Sequence, residues 1–154
     1  MDATLPQSPP SGSFQGPLHV FPLRVYYEDT DLSGMVYHAN YLRWLERARS
    51  DLLRLLGIDQ RHAAESGAGL YTVAELTIRF LAPARLDDAL IVVTEAAELG
   101  AASVRLRQRA VRSGEVLAEA FVRVGFISPD GRPRRQPPAW RSAFETLLPA
   151  KDPA

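Results

Sequence analysis

No cysteine occurs in the 154 residues, and only three histidines do. The first absence excludes disulfides, thiolate metal sites and a cysteine nucleophile, and it fits a reducing compartment. The second leaves His19, His38 and His62 scattered too widely for a histidine-rich centre, so no metal site is expected. Neither sign of charge is in excess, because 18 basic residues balance 18 acidic ones. No global field therefore draws the chain to nucleic acid or to an anionic membrane. No apolar run approaches the roughly 20 residues needed to cross a bilayer, and the N-terminus lacks the basic and apolar blocks of a secretory leader. A cytoplasmic protein with no nucleic-acid partner and no membrane insertion is expected. Also missing are the G-x-S-x-G nucleophile elbow, the H-E-x-x-H zinc helix, the G-x-x-x-x-G-K-[ST] phosphate loop and the G-x-G-x-x-G dinucleotide fingerprint. No cofactor is expected.

What the chain does contain is enough apolar material, 46% of its residues, for one domain with a single core. Residues 1–18 are rich in Pro, Ser, Gly and Gln with few apolar anchors and read as a disordered tail. Residues 19–128 carry the periodic patterns of a folded domain, and residues 129–154 read as a basic, proline-rich linker followed by a short helix over Ala139 to Leu148. Within the domain, His19 to Tyr27 reads as a first strand. Tyr41, Trp44, Leu45, Ala48, Leu52, Leu55 and Leu56 recur at helical spacing, with Asn40 as a cap and Gly57 as a stop. Alternation then marks strands at Val73 to Phe80, Leu90 to Glu95, Val104 to Ala110 and Val116 to Ile127, with Ser113-Gly114 as a hairpin turn. One long helix with about five antiparallel strands is an α+β pattern in which a curved sheet wraps the helix. Its open edges would be protected by pairing across a two-fold axis, as a homodimer or a dimer of dimers.

The stretch from Tyr26 to Tyr41 holds the chemistry. An acidic loop leads into the start of the helix, with Asp31 and His38 seven residues apart and Gly34 between them. A carboxylate, an imidazole and a helix N-terminus rich in N–H donors suit attack on a carbonyl. The segment Asp31-Leu32-Ser33-Gly34-Met35-Val36-Tyr37-His38-Ala39-Asn40-Tyr41, continued by Leu45-Glu46-Arg47-Ala48-Arg49, resembles the hotdog-fold acyl-CoA thioesterases of the 4-hydroxybenzoyl-CoA thioesterase type. The likeness is greatest to the branch associated with the Tol-Pal system, and in element order it runs from about Leu23 to Ile127.

That resemblance implies a five-stranded antiparallel sheet around one long central helix, dimers that often pair into tetramers, and an active site between subunits. It implies Asp31 as nucleophile or general base in hydrolysis of an acyl-CoA to free CoA and a carboxylic acid. It places His38 where a backbone N–H stabilises the developing oxyanion. Gly34, Val36, Tyr37, Asn40, Tyr41 and Trp44 would surround the acyl group, which is either aromatic, such as 4-hydroxybenzoyl, or a short or medium chain. Arg105, Arg107, Arg132 and Arg134 are candidate contacts for the CoA phosphates, since guanidinium matches phosphate by paired hydrogen bonds. The alternative function is a hotdog protein that binds acyl-CoA or acyl-carrier protein without catalysis.

Overall fold

Tyr41, Trp44, Leu45, Ala48 and Leu52 recur every three or four residues, and in the computed structural model, which describes residues 4–149, they form the buried face of α1 (His38–Leu55). Residues 1–3 of the expected tail and 150–154 of the C-terminal segment lie outside the described residues. Burial of each such apolar side chain contributes roughly 1.5–3 kcal/mol. The helix stops as expected: Leu56 caps it, and Gly57 follows at φ +81 with its N–H bonded to Arg54 O at 3.0 Å. It starts earlier than expected. Tyr37, extended at φ −65 and ψ 132, is the cap residue, and Asn40 N already donates to Tyr37 O at 2.9 Å. Asn40 is therefore inside the first turn rather than a cap, and its side chain is free for another partner.

Around α1 curves one antiparallel sheet with strand order β1-β2-β4-β5-β6-β3. Its strands are β1 (Ser13–Gln15), β2 (Leu18–Arg24), β3 (Leu70–Phe80), β4 (Ala89–Leu99), β5 (Ser103–Arg112) and β6 (Glu115–Ile127). The five expected strands are β2 to β6. Alternation sets their faces: Val104, Leu106, Gln108 and Ala110 of β5 are buried, while Arg105 lies exposed on the other face. Gln108 ties the sheet to the helix, donating to Leu45 O and Thr94 Oγ1, both at 3.0 Å, and accepting from Arg49 Nη1 at 3.0 Å. β3 closes one end of the sheet with a free edge of 11 residues.

The sixth strand corrects the expected tail of residues 1–18. Ser13–Gln15 pairs with Leu18–Val20 through a turn at Gly16, and Ser11 Oγ and Gly12 N donate to the Asp51 carboxylate of α1 at 2.6 and 3.0 Å. Gly12 is needed there, because a Cβ would sit 2.3 Å from Val20 O. A buried helical carboxylate supplies the order that the polar segment cannot supply from its own apolar content. The connection read at Asp59 to Gly69 contains a short helix, α2 (Gln60–Glu65), capped by Asp59, whose Oδ1 accepts His62 N at 3.0 Å. The terminal helix α3 (Pro138–Glu145) buries Phe144 and lays Trp140 against Tyr71 and Phe126.

Candidate active site

Asp31 follows a single 3-10 turn (Tyr27–Asp29) and opens a tight reversal in which Asp31 N donates to Met35 O at 2.9 Å and Gly34 N to Asp31 O at 3.0 Å. Gly34 sits at φ +83, which L side chains rarely adopt, so its function is to make this turn. The Asp31 carboxylate is exposed. Its Oδ1 accepts Ser33 N at 2.8 Å and also the Ser33 hydroxyl. The Ser33 hydroxyl, then the Ser33 N–H, hold Asp31 below the usual carboxylate range, and the nearby His38 acts in the same direction. Asp31 is thus a fixed carboxylate with Oδ2 open, ionised at neutral pH.

The helix end beside it is uncapped. Tyr37 makes no side-chain cap bond, and among the described residues neither His38 N nor Ala39 N has an acceptor. Unmet N–H groups at a helix N-terminus attract negative charge. They border a shallow groove lined by Met35, Val36, His38, Tyr41, Phe80, Leu81, Ala82 and Pro83. The loop after β3 is held to the active-site loop by Val36 N donating to Ala84 O at 2.9 Å, and Tyr41 Oη accepts Ala84 N at 3.2 Å. The His38 ring stands edge-on to Tyr37 and Phe80, with centroids 4.5 and 6.3 Å away.

The structure brings Val36, His38 and Tyr41 into one groove, sets Tyr37 against the His38 ring and leaves Asp31 in the loop near His38, and it separates others from them. Trp44, expected at the acyl group, is 1% exposed and packs behind Tyr41 as core, because it lies on the inner stripe of α1. The Asn40 side chain turns away from the groove and donates to Asp29 Oδ1 at 2.7 Å. Arg107 bonds Glu95 and Glu119 at 3.0 and 2.6 Å, and Arg105 pairs with Glu98 at 3.4 Å, all on exposed or half-buried positions of the sheet. Those guanidinium groups are committed to neighbouring carboxylates. Arg132 pairs with Asp130 at 3.5 Å, and Arg134 donates to Gly67 O and Ala68 O at 3.1 and 2.8 Å. Both follow β6, at the Leu70 end of the β3–β6 ladder, whereas the groove lies at its Phe80 end. Sequence reasoning missed the part played by Ser33 and by Phe80. A hydroxyl two residues after a loop aspartate is a signal for the first; an aromatic closing a strand gives none for the second.

A helix wrapped by a curved antiparallel sheet, with a loop carboxylate shortly before the uncapped helix start, is the architecture of the hotdog-fold class of thioester hydrolases. The chain belongs to the thioesterase-like superfamily, whose family profile matches residues 25–146. It is 43% identical over 107 residues to the acyl-CoA thioesterase YbgC of Haemophilus influenzae, covering 70% of this chain and 79% of that protein. It is 39% identical over 127 residues to the acyl-CoA thioester hydrolase YbgC of Escherichia coli O6:H1, covering 81% and 94%. Among solved structures, a probable thioesterase from Bartonella henselae superposes with a TM-score of 0.73 at 36% identity, covering 78% of this chain and 99% of that one.

Proposed function

We propose that the protein hydrolyses acyl-CoA thioesters with Asp31 as the attacking carboxylate and the α1 N-terminus as the oxyanion site. Thioester hydrolysis is the chemistry of the family to which the chain belongs, and its YbgC relatives are named for acyl-CoA. The single observation that carries the residue assignment is the fixed, ionised Asp31 carboxylate beside the acceptor-free N–H groups of His38 and Ala39. With the thioester carbonyl oxygen on those donors, Asp31 Oδ2 attacks the carbonyl carbon, and the tetrahedral oxyanion collapses as the C–S bond breaks. CoA leaves as a thiolate and takes a proton from solvent; water then cleaves the mixed anhydride to regenerate Asp31 and release the acid.

Val36, Tyr37, Tyr41 and Phe80 would flank the acyl group, which suits aromatic and short or medium aliphatic acyl groups alike. A homodimer formed on the free β3 edge would complete the site. Antiparallel pairing lays the Leu70 end of one chain against the Phe80 end of the other, and so carries Arg132 and Arg134 to the mouth of the partner's groove as phosphate contacts. A cytoplasmic setting belongs to the same reading, because acyl-CoA is made and consumed there. The test is thiol release from a panel of aromatic and aliphatic CoA thioesters by the wild type and by Asp31→Asn. Wild-type turnover that falls at least about 1000-fold in the folded variant is expected. CoA-thioester binding without release by the wild type would overturn hydrolysis, and an active Asp31→Asn would overturn the assignment.

A further inference from the structure

We propose that the buried Asp29–Asn40 pair is a positioning device that sets the Asp31 loop against the α1 N-terminus and keeps a second carboxylate off the oxyanion donors. Asp29 is 5% exposed and Asn40 4%. Asp29 Oδ2 accepts Tyr26 N at 2.8 Å, Oδ1 accepts Asn40 Nδ2 at 2.7 Å, and the Asp29 main-chain O accepts Tyr37 N at 2.9 Å. Asp29 lies two residues before Asp31, and Asn40 two residues after His38. The bond between them therefore closes a ring of chain that holds both the attacking carboxylate and the helix start.

The chemistry of the pair is unusual in one respect. A buried aspartate beside a helix N-terminus ordinarily accepts the helix's own free N–H groups. Here Asp29 binds the Asn40 amide and one loop N–H instead, and among the described residues no cationic side chain pairs with it. His38 N and Ala39 N keep their donors for a ligand, although an aspartate is packed against the same turn. Asn40 is thus the residue that turns a capping carboxylate into a scaffold. This inference rests on the hydrolase reading for its kinetic consequence and on geometry alone for its structural one.

The test compares Asn40→Ala, Asn40→Asp and the exchange variant Asp29→Asn/Asn40→Asp. Asn40→Asp puts two carboxylates face to face. The exchange restores the bond with its direction reversed: the amide introduced at position 29 accepts Tyr26 N with its oxygen, and its nitrogen donates to the carboxylate introduced at position 40. With an unchanged melting profile, Asn40→Ala is expected to lose kcat by at least about tenfold while KM stays within about twofold. The exchange variant is expected to recover most of what Asn40→Asp loses. Hydrogen exchange at the Tyr26 and Tyr37 amides, followed in the substrate-free protein, is expected to quicken in Asn40→Ala. Unchanged kcat in folded Asn40→Ala, no recovery in the exchange variant, or unchanged amide protection would each overturn the proposal. A wild type without thioesterase activity would instead overturn the hydrolase reading, and the amide measurement would still decide on the clamp.

Discussion

In the proposed mechanism Asp31 and His38 act through different atoms, and single substitutions can separate them. The proposed oxyanion site uses the His38 main-chain N–H, so loss of the imidazole alone leaves the donor in place. His38 is the first helical residue and Tyr37 before it is extended, both of which proline accepts. His38→Pro therefore deletes the N–H without breaking the helix. Turnover by His38→Pro is expected to fall about 100-fold below that of His38→Ala, measured as kcat on one CoA thioester; equal values would remove the His38 N–H from the oxyanion site. Asp31 gives a second prediction. Its carboxyl is held low chiefly by the Ser33 hydroxyl, so the ionised form persists as pH falls and is lost only below the usual carboxylate range. Ser33→Ala removes that bond and keeps the backbone N–H of residue 33. The acid limb of kcat/KM is expected to move upward towards the usual carboxylate range, with little change at neutral pH. An acid limb that stays in place would mean that another group titrates.

At the scale of elements, what the sequence discloses follows from periodicity, and what it hides follows from polar partners distant in the chain. α1 and β2 to β6 are legible because Trp44, Leu52, Val92 and Leu106 fall at the repeat of a helix or strand and need only be buried. Asp31 and His38 are legible through a local motif. β1 is not, because its order depends on a contact 39 residues away, between Gly12 and Asp51. Asn40 reads as a cap in the sequence because its true partner, Asp29, lies across the active-site loop. Asp51 is the hub of the N-terminal contact: it takes Ser11 Oγ, Gly12 N and, at 2.7 Å, the fully buried His19 Nε2. Burial pushes its pKa up, yet the donors Ser11, His19 and Gly12 outweigh burial and the net shift is downward. Its contribution to stability is present above the usual carboxylate range and is lost as pH falls through the depressed value. Asp51→Asn presents an amide to at least one of these donors. It is expected to cost about 2 kcal/mol in urea unfolding at neutral pH and to release residues 11–15 to rapid hydrogen exchange.

On the scale of the whole molecule, the proposed dimer on the free edge of β3 would link assembly to activity. An edge strand of eleven residues, paired among the described residues on its β6 side only and with Leu70, Val73 and Phe80 at 37, 44 and 49% exposure, is the kind of edge that single-chain proteins ordinarily blunt. A second copy is the simplest cover, since antiparallel pairing about a two-fold axis satisfies both edges at once. The Phe80–Leu70 separation, on the order of 30 Å along the strand, keeps Arg134 away from the groove of its own chain, and the proposed pairing would bring it to that of the other. Val73→Lys places a charge on the proposed seam, outside the groove residues. In analytical ultracentrifugation the wild type is expected at twice the 17.0 kDa chain mass or a multiple of it, and Val73→Lys is expected to shift towards the single chain and lose turnover in proportion. A companion measurement assigns the phosphate contact: Arg134→Ala is expected to raise KM for an acyl-CoA and leave it unchanged for the same acyl group on N-acetylcysteamine, which lacks phosphates. If Val73→Lys remains a dimer with full turnover, the copies meet elsewhere. If Arg134→Ala raises both KM values alike, Arg134 supports the fold around Gly67 and Ala68 rather than the coenzyme, because only a phosphate contact distinguishes the two substrates.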